Sequence, residues 1–172
     1  MKTSKKLFAV LLALCLFLSL SVPAFAVSAQ YSTTKSFLKV MDREEFKYTV
    51  VGLNEKNKKE IVKFDWTGDN VKDMEVTALF AENLESVSLY AWNLVYIDKA
   101  DLDKALSLVN KLNNEYYYVK FSVDEDEMSI DAEVDCRLRD DENAGEIAYD
   151  GVYFLVNIVD KAYPELKEIA KK

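Results

Sequence analysis

The chain has 172 residues, with 22 basic side chains, 30 acidic side chains and no histidine. This length is typical of one domain, and the acidic balance argues against nucleic acid and anionic membranes as partners, because both favour positive surfaces. The absence of histidine excludes Ser-His-Asp triads, Cys-His dyads and histidine-ligated zinc.

Residues 1–26 have the three parts of a secretory signal peptide. A basic start is followed by an apolar run at residues 7–20 and by a small-residue exit that ends at Ala26. The run is shorter than the about 20 apolar residues that a membrane-spanning helix needs. The sequence therefore predicts cleavage after Ala26, a secreted or cell-envelope location, and one mature domain at residues 27–172 with no stable membrane span.

The first half of the mature chain predicts a helix followed by antiparallel strands. Apolar residues at helical spacing predict the helix over residues 31–44, with Ser32, Thr33 and Thr34 as candidate caps. Alternating or β-branched segments predict strands at residues 47–53, 60–66, 74–81 and 87–97. Short polar turns separate these segments, which is typical of an antiparallel meander.

The second half predicts a helix, two strands and a final long helix. Asp98 is the expected cap of a helix that ends near Asn113 and Asn114, and a strand follows at residues 116–123. Residues 127–138 alternate apolar and polar side chains without an error, starting with Met128 on the apolar face. The last helix is predicted over residues 144–163, and Pro164, which follows, is expected to break or restart it.

This order predicts an α+β domain. An antiparallel sheet of about five strands carries helices on one face, in the order α-β(3-4)-α-β(2)-α. Removal of the signal peptide leaves Cys136 as the one cysteine, so an intrachain disulfide is excluded. A lone cysteine is either a reactive or interchain group or a small buried apolar side chain, and its place on the apolar face of its strand favours the second.

Carboxylates are the only abundant reactive groups in the chain. Residues 65–68, Asp-Trp-Thr-Gly, are similar to the Asp-Thr-Gly of aspartic proteases, but Trp66 interrupts the motif and no second copy supplies a paired acid. The acidic runs at residues 124–127 and 140–142 offer oxygen ligands to Ca²⁺ but lack the glycine-centred spacing of an EF-hand. We therefore predict no catalytic residue, cofactor or metal site; an envelope protein that binds Ca²⁺ or a small ligand, and a carboxylate-based hydrolase, are the alternatives.

Aromatic side chains on one strand are the candidate binding site. Tyr90, Trp92 and Tyr96 are predicted to share the outer face of the strand at residues 87–97, and Asn93 is predicted to share the inner face. A contiguous strip of exposed aromatic side chains is typical of an interaction surface. The alternatives are that a neighbouring segment or the first helix covers the strip, or that two copies of the chain meet there.

The outer face of the strand at residues 127–138 is acidic. Its polar side chains include Glu127, Asp131, Glu133 and Asp135. Such a strip either meets a basic partner or prevents the stacking of one sheet on another.

One stretch carries a family resemblance. Residues 106–114, Leu-Ser-Leu-Val-Asn-Lys-Leu-Asn-Asn, precede Tyr118-Val119-Lys120-Phe121, and residues 160–166 read Asp-Lys-Ala-Tyr-Pro-Glu-Leu. This pattern resembles the YbjN family, bacterial domains with a type III secretion chaperone-like fold, over about residues 48–166. The resemblance implies protein binding, a tendency to dimerise, a role in sensory-transduction regulation and no known catalytic residues. Asn110 and Asn113 are expected to hold the helix–strand junction.

The sequence thus predicts an exported, non-enzymatic domain. It is expected to bind a protein, a peptide or a second copy of itself through a sheet face and the long terminal helix. Tyr90, Trp92 and Tyr96 are the predicted partner-binding residues.

Overall fold

A computed structural model describes residues 28–139 and 143–171, which form two layers. The helices are α1 (Ser32–Arg43), α2 (Leu102–Glu115) and α3 (Ala144–Glu168). The strands are β1 (Thr49–Asn54), β2 (Lys59–Trp66), β3 (Met74–Ala81), β4 (Ser86–Tyr96), β5 (Lys120–Asp124) and β6 (Ser129–Arg137). The predicted signal peptide and the acidic run at residues 140–142 lie outside the described residues.

The six strands form one antiparallel sheet in the order β1-β2-β3-β4-β6-β5. Four strands precede α2 and two follow it, which confirms the predicted class and element order with one strand more than the expected five. Among the described helices, none is long and apolar enough to cross a membrane.

The alternation of side chains along the strands separates two faces. Val62, Ala78, Leu89 and Val134 are register partners across β2, β3, β4 and β6, and all four are buried in the core with the apolar sides of the helices. The next residue on each strand points to the opposite face. The sheet therefore has one face covered by helices and one face that none of the three described helices covers.

Helix α3 packs closely on the centre of the sheet at Gly151. A Cβ atom at this position would collide with Sγ of Cys136 and would lie 2.8 Å from Cδ1 of Leu89. The missing side chain lets the helix backbone approach β4 and β6. Cys136 is thus on the packed face of the sheet, as its place in the alternating pattern predicts.

Helix α3 runs through Pro164, so the predicted break is wrong. Proline has no backbone N–H and leaves the carbonyl of Asp160, four residues earlier, without its helical partner. The side-chain amide of Asn70 donates to that carbonyl at 3.1 Å. The helix continues because the loop between β2 and β3 replaces the lost hydrogen bond.

The carboxylate of Asp160 also holds that loop. It accepts the backbone N–H groups of Asn70 at 2.8 Å, Val71 at 2.9 Å and Asp69 at 3.3 Å. Burial alone would raise the pKa of Asp160, but these N–H donors outweigh burial and keep the pKa below its ordinary value. The residues that follow the protease-like Asp-Trp-Thr-Gly segment are therefore a loop that Asp160 binds.

The start of α1 rests on a buried carboxylate, and the predicted caps Ser32, Thr33 and Thr34 lie within the helix. The N-cap residue is Tyr31, whose side chain makes no capping bond. Glu60 of β2 is fully buried and accepts the backbone N–H groups of Gln30 at 2.6 Å and Tyr31 at 3.0 Å. A negative group at this end also suits the helix dipole.

The helix before β5 is joined to the strand by one asparagine. Oδ1 of Asn113 accepts the N–H of Phe121 at 2.7 Å, and Nδ2 donates to the carbonyl of Phe121 at 2.9 Å. This places Asn113 at the helix–strand junction, where the sequence predicts it. Asn110, predicted for the same role, is exposed on the helix, and its carbonyl accepts Nδ2 of Asn114 at 2.9 Å. The strand itself begins at Lys120 rather than at residue 116, because residues 116–119 connect it to α2.

Two further details differ from the predicted elements. Met128 has a positive φ of 53° and lies in the β5–β6 turn, so the strand starts at Ser129. Asp98 precedes a short 3₁₀ turn and makes no side-chain capping bond. The same left-handed conformation recurs at Lys58, which ends the four-residue β1–β2 loop with a φ of 54°, so it belongs to this kind of hairpin.

We predict that loss of the Asp160 carboxylate destabilises the fold. Asp160→Ala leaves the loop N–H groups unpaired and should lower the free energy of unfolding by about 3 kcal/mol. Asp160→Asn keeps Oδ1 for Asn70 and Val71 and should cost about 1 kcal/mol. Urea unfolding of both variants measures the difference, and equal costs would contradict the assignment.

The cost of Asp160→Asn should also depend on pH. Because the pKa of Asp160 is depressed in the fold, its contribution is present above the unfolded-state pKa of about 3.9 and is lost as pH falls through the folded value. The difference in unfolding free energy between wild type and Asp160→Asn should therefore shrink below about pH 4. A difference that stays constant to lower pH would show that the charge plays no part.

We also predict that Gly151 and Cys136 are energetically coupled. Gly151→Ala should cost about 2 kcal/mol through overpacking, although alanine is the better helix former by about 1 kcal/mol. In a Cys136→Ala background, the same change should cost less than about 1 kcal/mol, because Sγ is gone. A double-mutant cycle measures this coupling, and additive costs would contradict the contact.

Candidate functional site

The face of the sheet that the helices leave open carries a continuous row of side chains. Lys63, Thr77, Tyr90, Glu133 and Lys120 are register partners across five strands. Ion pairs on this face join Lys120 to Glu133 at 3.1 Å and Lys63 to the exposed Glu75 at 2.7 Å. Tyr90 thus lies at the centre of the open face.

Tyr90 and Trp92 form a stacked aromatic pair on the open face. Their ring centroids are 4.9 Å apart and their planes differ by 13°. Tyr90 is half-buried, whereas Trp92 is 43% exposed. Tyr96, which is 52% exposed, lies on the same face further along β4, where it is the register partner of Ser129. The structure therefore places all three predicted residues on one face, two of them in direct contact.

A bulge in β4 separates Tyr96 from the aromatic pair. The register with β6 shifts between Ala91 and Val95, so β4 has two extra residues there. Asn93 has a positive φ of 55° and is exposed, which corrects its predicted place on the inner face. Its N–H donates to Oδ1 of Asp131 at 2.8 Å. Because two residues are inserted, Val95 still points into the core.

An acidic cavity adjoins Trp92. It has a volume of about 310 Å³ and is lined by Trp92, Asn93, Asp124, Glu127 and Asp131. Burial raises the pKa of Asp131; the N–H of Asn93 opposes this, and the charges of Asp124 and Glu127 add to it. The three carboxylates are thus close enough to repel one another.

The calcium alternative depends on these same acidic groups. Oδ1 of Asp124 accepts the N–H groups of Asp126 at 2.8 Å and Glu127 at 2.9 Å, so it caps its own turn. Within residues 28–139 and 143–171, no group of three or more Cys, Asp and Glu side chains is arranged to hold a metal ion. The second acidic run, at residues 140–142, lies outside the described part of the chain.

A second exposed aromatic group lies near β5, at one edge of the sheet, and sequence reasoning missed it. Tyr117 is 94% exposed, and Tyr118 and Tyr153 are also exposed. Tyr118 stacks on Phe154 of α3 with a centroid distance of 4.4 Å. The three consecutive tyrosines at residues 116–118 were the signal, but their assignment to a strand hid it.

Cys136 has the environment of an unreactive thiol. Burial raises its pKa to about 11, and the nearby carboxylates of Asp135 and Asp150 contribute in the same direction. A raised pKa keeps the thiol protonated, and the protonated thiol is a poor nucleophile. The side chain therefore acts in packing against Gly151.

Comparisons with known proteins assign no family to this chain. No family model, no curated protein and no solved structure matches it. The resemblance to the YbjN family stays a prediction from the residues quoted for it, and the candidate site rests on the geometry of the open face.

We predict that folded Cys136 reacts slowly with a thiol reagent. With a pKa of about 11, about one thiol in a thousand is ionised at about pH 8, against about a quarter of the thiols of an unfolded chain. Labelling by an aromatic disulfide should therefore be at least about a hundredfold slower in buffer than in urea. Similar rates in both solvents would show an accessible thiolate and reverse the structural assignment.

Proposed function

We propose that this chain is an exported, non-enzymatic domain that binds a protein or peptide through the open face of its sheet. The single observation that carries the proposal is the stacked pair Tyr90–Trp92, which lies on the face that α1, α2 and α3 leave open. Large aromatic side chains with exposed area are the residues that dominate binding at protein interfaces.

The stacking favours binding on energetic grounds. An isolated exposed tryptophan loses side-chain freedom when a partner covers it, whereas Trp92 is already held against Tyr90. Outward-pointing apolar side chains on neighbouring strands, Ile61 and Leu79, extend the surface toward β1, where Val51 is 48% exposed. A partner would add a third layer over this sheet, as helices do in many α/β domains.

The resemblance to the YbjN family supports the same class of function. It implies protein binding and dimerisation, so a second copy of the chain is one proposed occupant of the open face. The predicted signal peptide supports a partner outside the cytoplasm.

The proposal predicts loss of the partner on removal of the aromatic pair. The bait is the mature chain, residues 27–172, exposed to envelope and secreted fractions of the host. Tyr90→Ser combined with Trp92→Ser should reduce retention of a captured protein by at least about tenfold, because truncated hot-spot residues cost about 2 kcal/mol or more each.

The control variant removes large exposed side chains from the helical layer. Leu106→Ser combined with Tyr153→Ser deletes two exposed side chains of α2 and α3 and should leave retention unchanged. Circular dichroism and thermal melting confirm that both variants fold. Equal retention by the wild type and the Tyr90/Trp92 variant would refute the proposed site, and sedimentation of the bait alone tests the second-copy arrangement.

A further inference from the structure

We infer that the partner presents a basic segment to this face, with an arginine or lysine side chain against the indole of Trp92 and among the carboxylates of Asp124, Glu127 and Asp131. This inference rests on the proposed function, since it names the chemistry of the partner that the same face binds. Three features of the cavity beside Trp92 favour such a side chain, namely its size, its charge and its stiff aromatic wall.

The cavity beside Trp92 suits one long cationic side chain. Its volume of about 310 Å³ is at the lower limit of ligand pockets, and one wall is an exposed indole. A cation over the face of tryptophan is attracted by the ring quadrupole, and tryptophan is the best of the aromatic side chains for this contact. The stacking on Tyr90 keeps that wall in place.

The charge of the cavity selects the sign of the partner. Three carboxylates line it, and no basic side chain of residues 28–139 or 143–171 does. Two ion pairs on the open face use Glu133 and Glu75, so Lys120 and Lys63 are engaged away from the cavity. A guanidinium or ammonium group would relieve the mutual repulsion of the carboxylates, whereas an acidic segment would add to it.

Arginine fits this combination best. Its planar guanidinium stacks on aromatic faces and at the same time donates hydrogen bonds to carboxylates in a fixed fork. The three carboxylates belong to the β5–β6 hairpin, and the indole belongs to β4. The site therefore forms only when β4 and β6 pair. The indole and the carboxylates together therefore define a pocket for one basic side chain of a longer segment.

The test uses two synthetic peptides that differ only in charge. One is a short capped peptide of alternating arginine and serine, and the other replaces each arginine by citrulline, its neutral isostere. Titration of the ¹⁵N-labelled mature chain is followed at the indole N–H signals of the two tryptophans, Trp66 and Trp92. Trp92→Phe assigns the signals.

The site variant neutralises the cavity without changing its shape. It combines Asp124→Asn, Glu127→Gln and Asp131→Asn. Asparagine is suited to position 124, because Asn54 caps the equivalent β1–β2 loop by accepting the N–H groups of Lys56 at 3.0 Å and Asn57 at 3.4 Å. The control variant makes the same charge change on α2 and α3 with Asp103→Asn, Glu115→Gln and Glu168→Gln, all exposed on the helical layer.

The expected result is that the arginine peptide shifts the Trp92 signal and leaves the Trp66 signal in place. Wild type should bind the citrulline peptide about tenfold more weakly than the arginine peptide. The site variant should bind the arginine peptide about tenfold more weakly than wild type does, and the control variant should bind it within about twofold of wild type. Added salt should weaken binding of the arginine peptide. Equal binding of both peptides, or equal losses in the site and control variants, would overturn the inference.

The two proposals fail in different ways. If the Tyr90/Trp92 variant loses a captured protein while the site variant retains it and binds the arginine peptide as wild type does, the basic-partner inference is overturned and the proposed function stands. If the captured protein is held equally by the wild type and the Tyr90/Trp92 variant, the proposed function itself is overturned. If the Tyr90/Trp92 variant and the site variant both lose the captured protein, and the citrulline peptide binds weakly, both proposals are supported.

Discussion

The close packing of α3 on the central strands determines which face of the sheet remains open. Gly151 lets the helix backbone approach Cys136 and Leu89, and Asp160, further along the same helix, binds the loop between β2 and β3. Both contacts are on one face of the sheet. On that face α1 also contacts α3, where Ser36 Oγ accepts the N–H of Gly145 at 3.1 Å. The aromatic pair of β4 lies on the opposite face because the strand alternates, so helix packing and partner surface follow from one constraint.

Side chains that bind backbone groups join each helix to the sheet. Glu60 holds the start of α1, Asn113 joins α2 to β5, and Asp160 joins α3 to the β2–β3 loop. In each case a polar side chain satisfies N–H groups that no helix or strand ladder satisfies, which compensates the cost of burying it. These three groups are structural. The carboxylates beside Trp92 differ, since they crowd together at a solvent-facing cavity.

Periodicity was sufficient to predict the element order, the one-sided sheet and the common face of Tyr90, Trp92 and Tyr96. It failed where a contact joins distant parts of the chain. Pro164 was expected to break or restart α3, but Asn70, 90 residues before Asp160, replaces the lost hydrogen bond. The bulge at Asn93 depends on Asp131, 38 residues later. Local pattern carries no information about such partners, and the same limit hid the exposed tyrosines near α3.

The bulge also explains how a central strand takes part in a surface site. β4 is paired on both sides, so its backbone offers no edge to a partner, and recognition must come from side chains. Bulges increase local twist and redirect side chains, and here the inserted residues lie beside Asp131 while Val95 keeps its place in the core. A left-handed asparagine in a central strand is a local cost. This asparagine lies beside the cavity that is lined by an indole from β4 and by carboxylates of the β5–β6 hairpin.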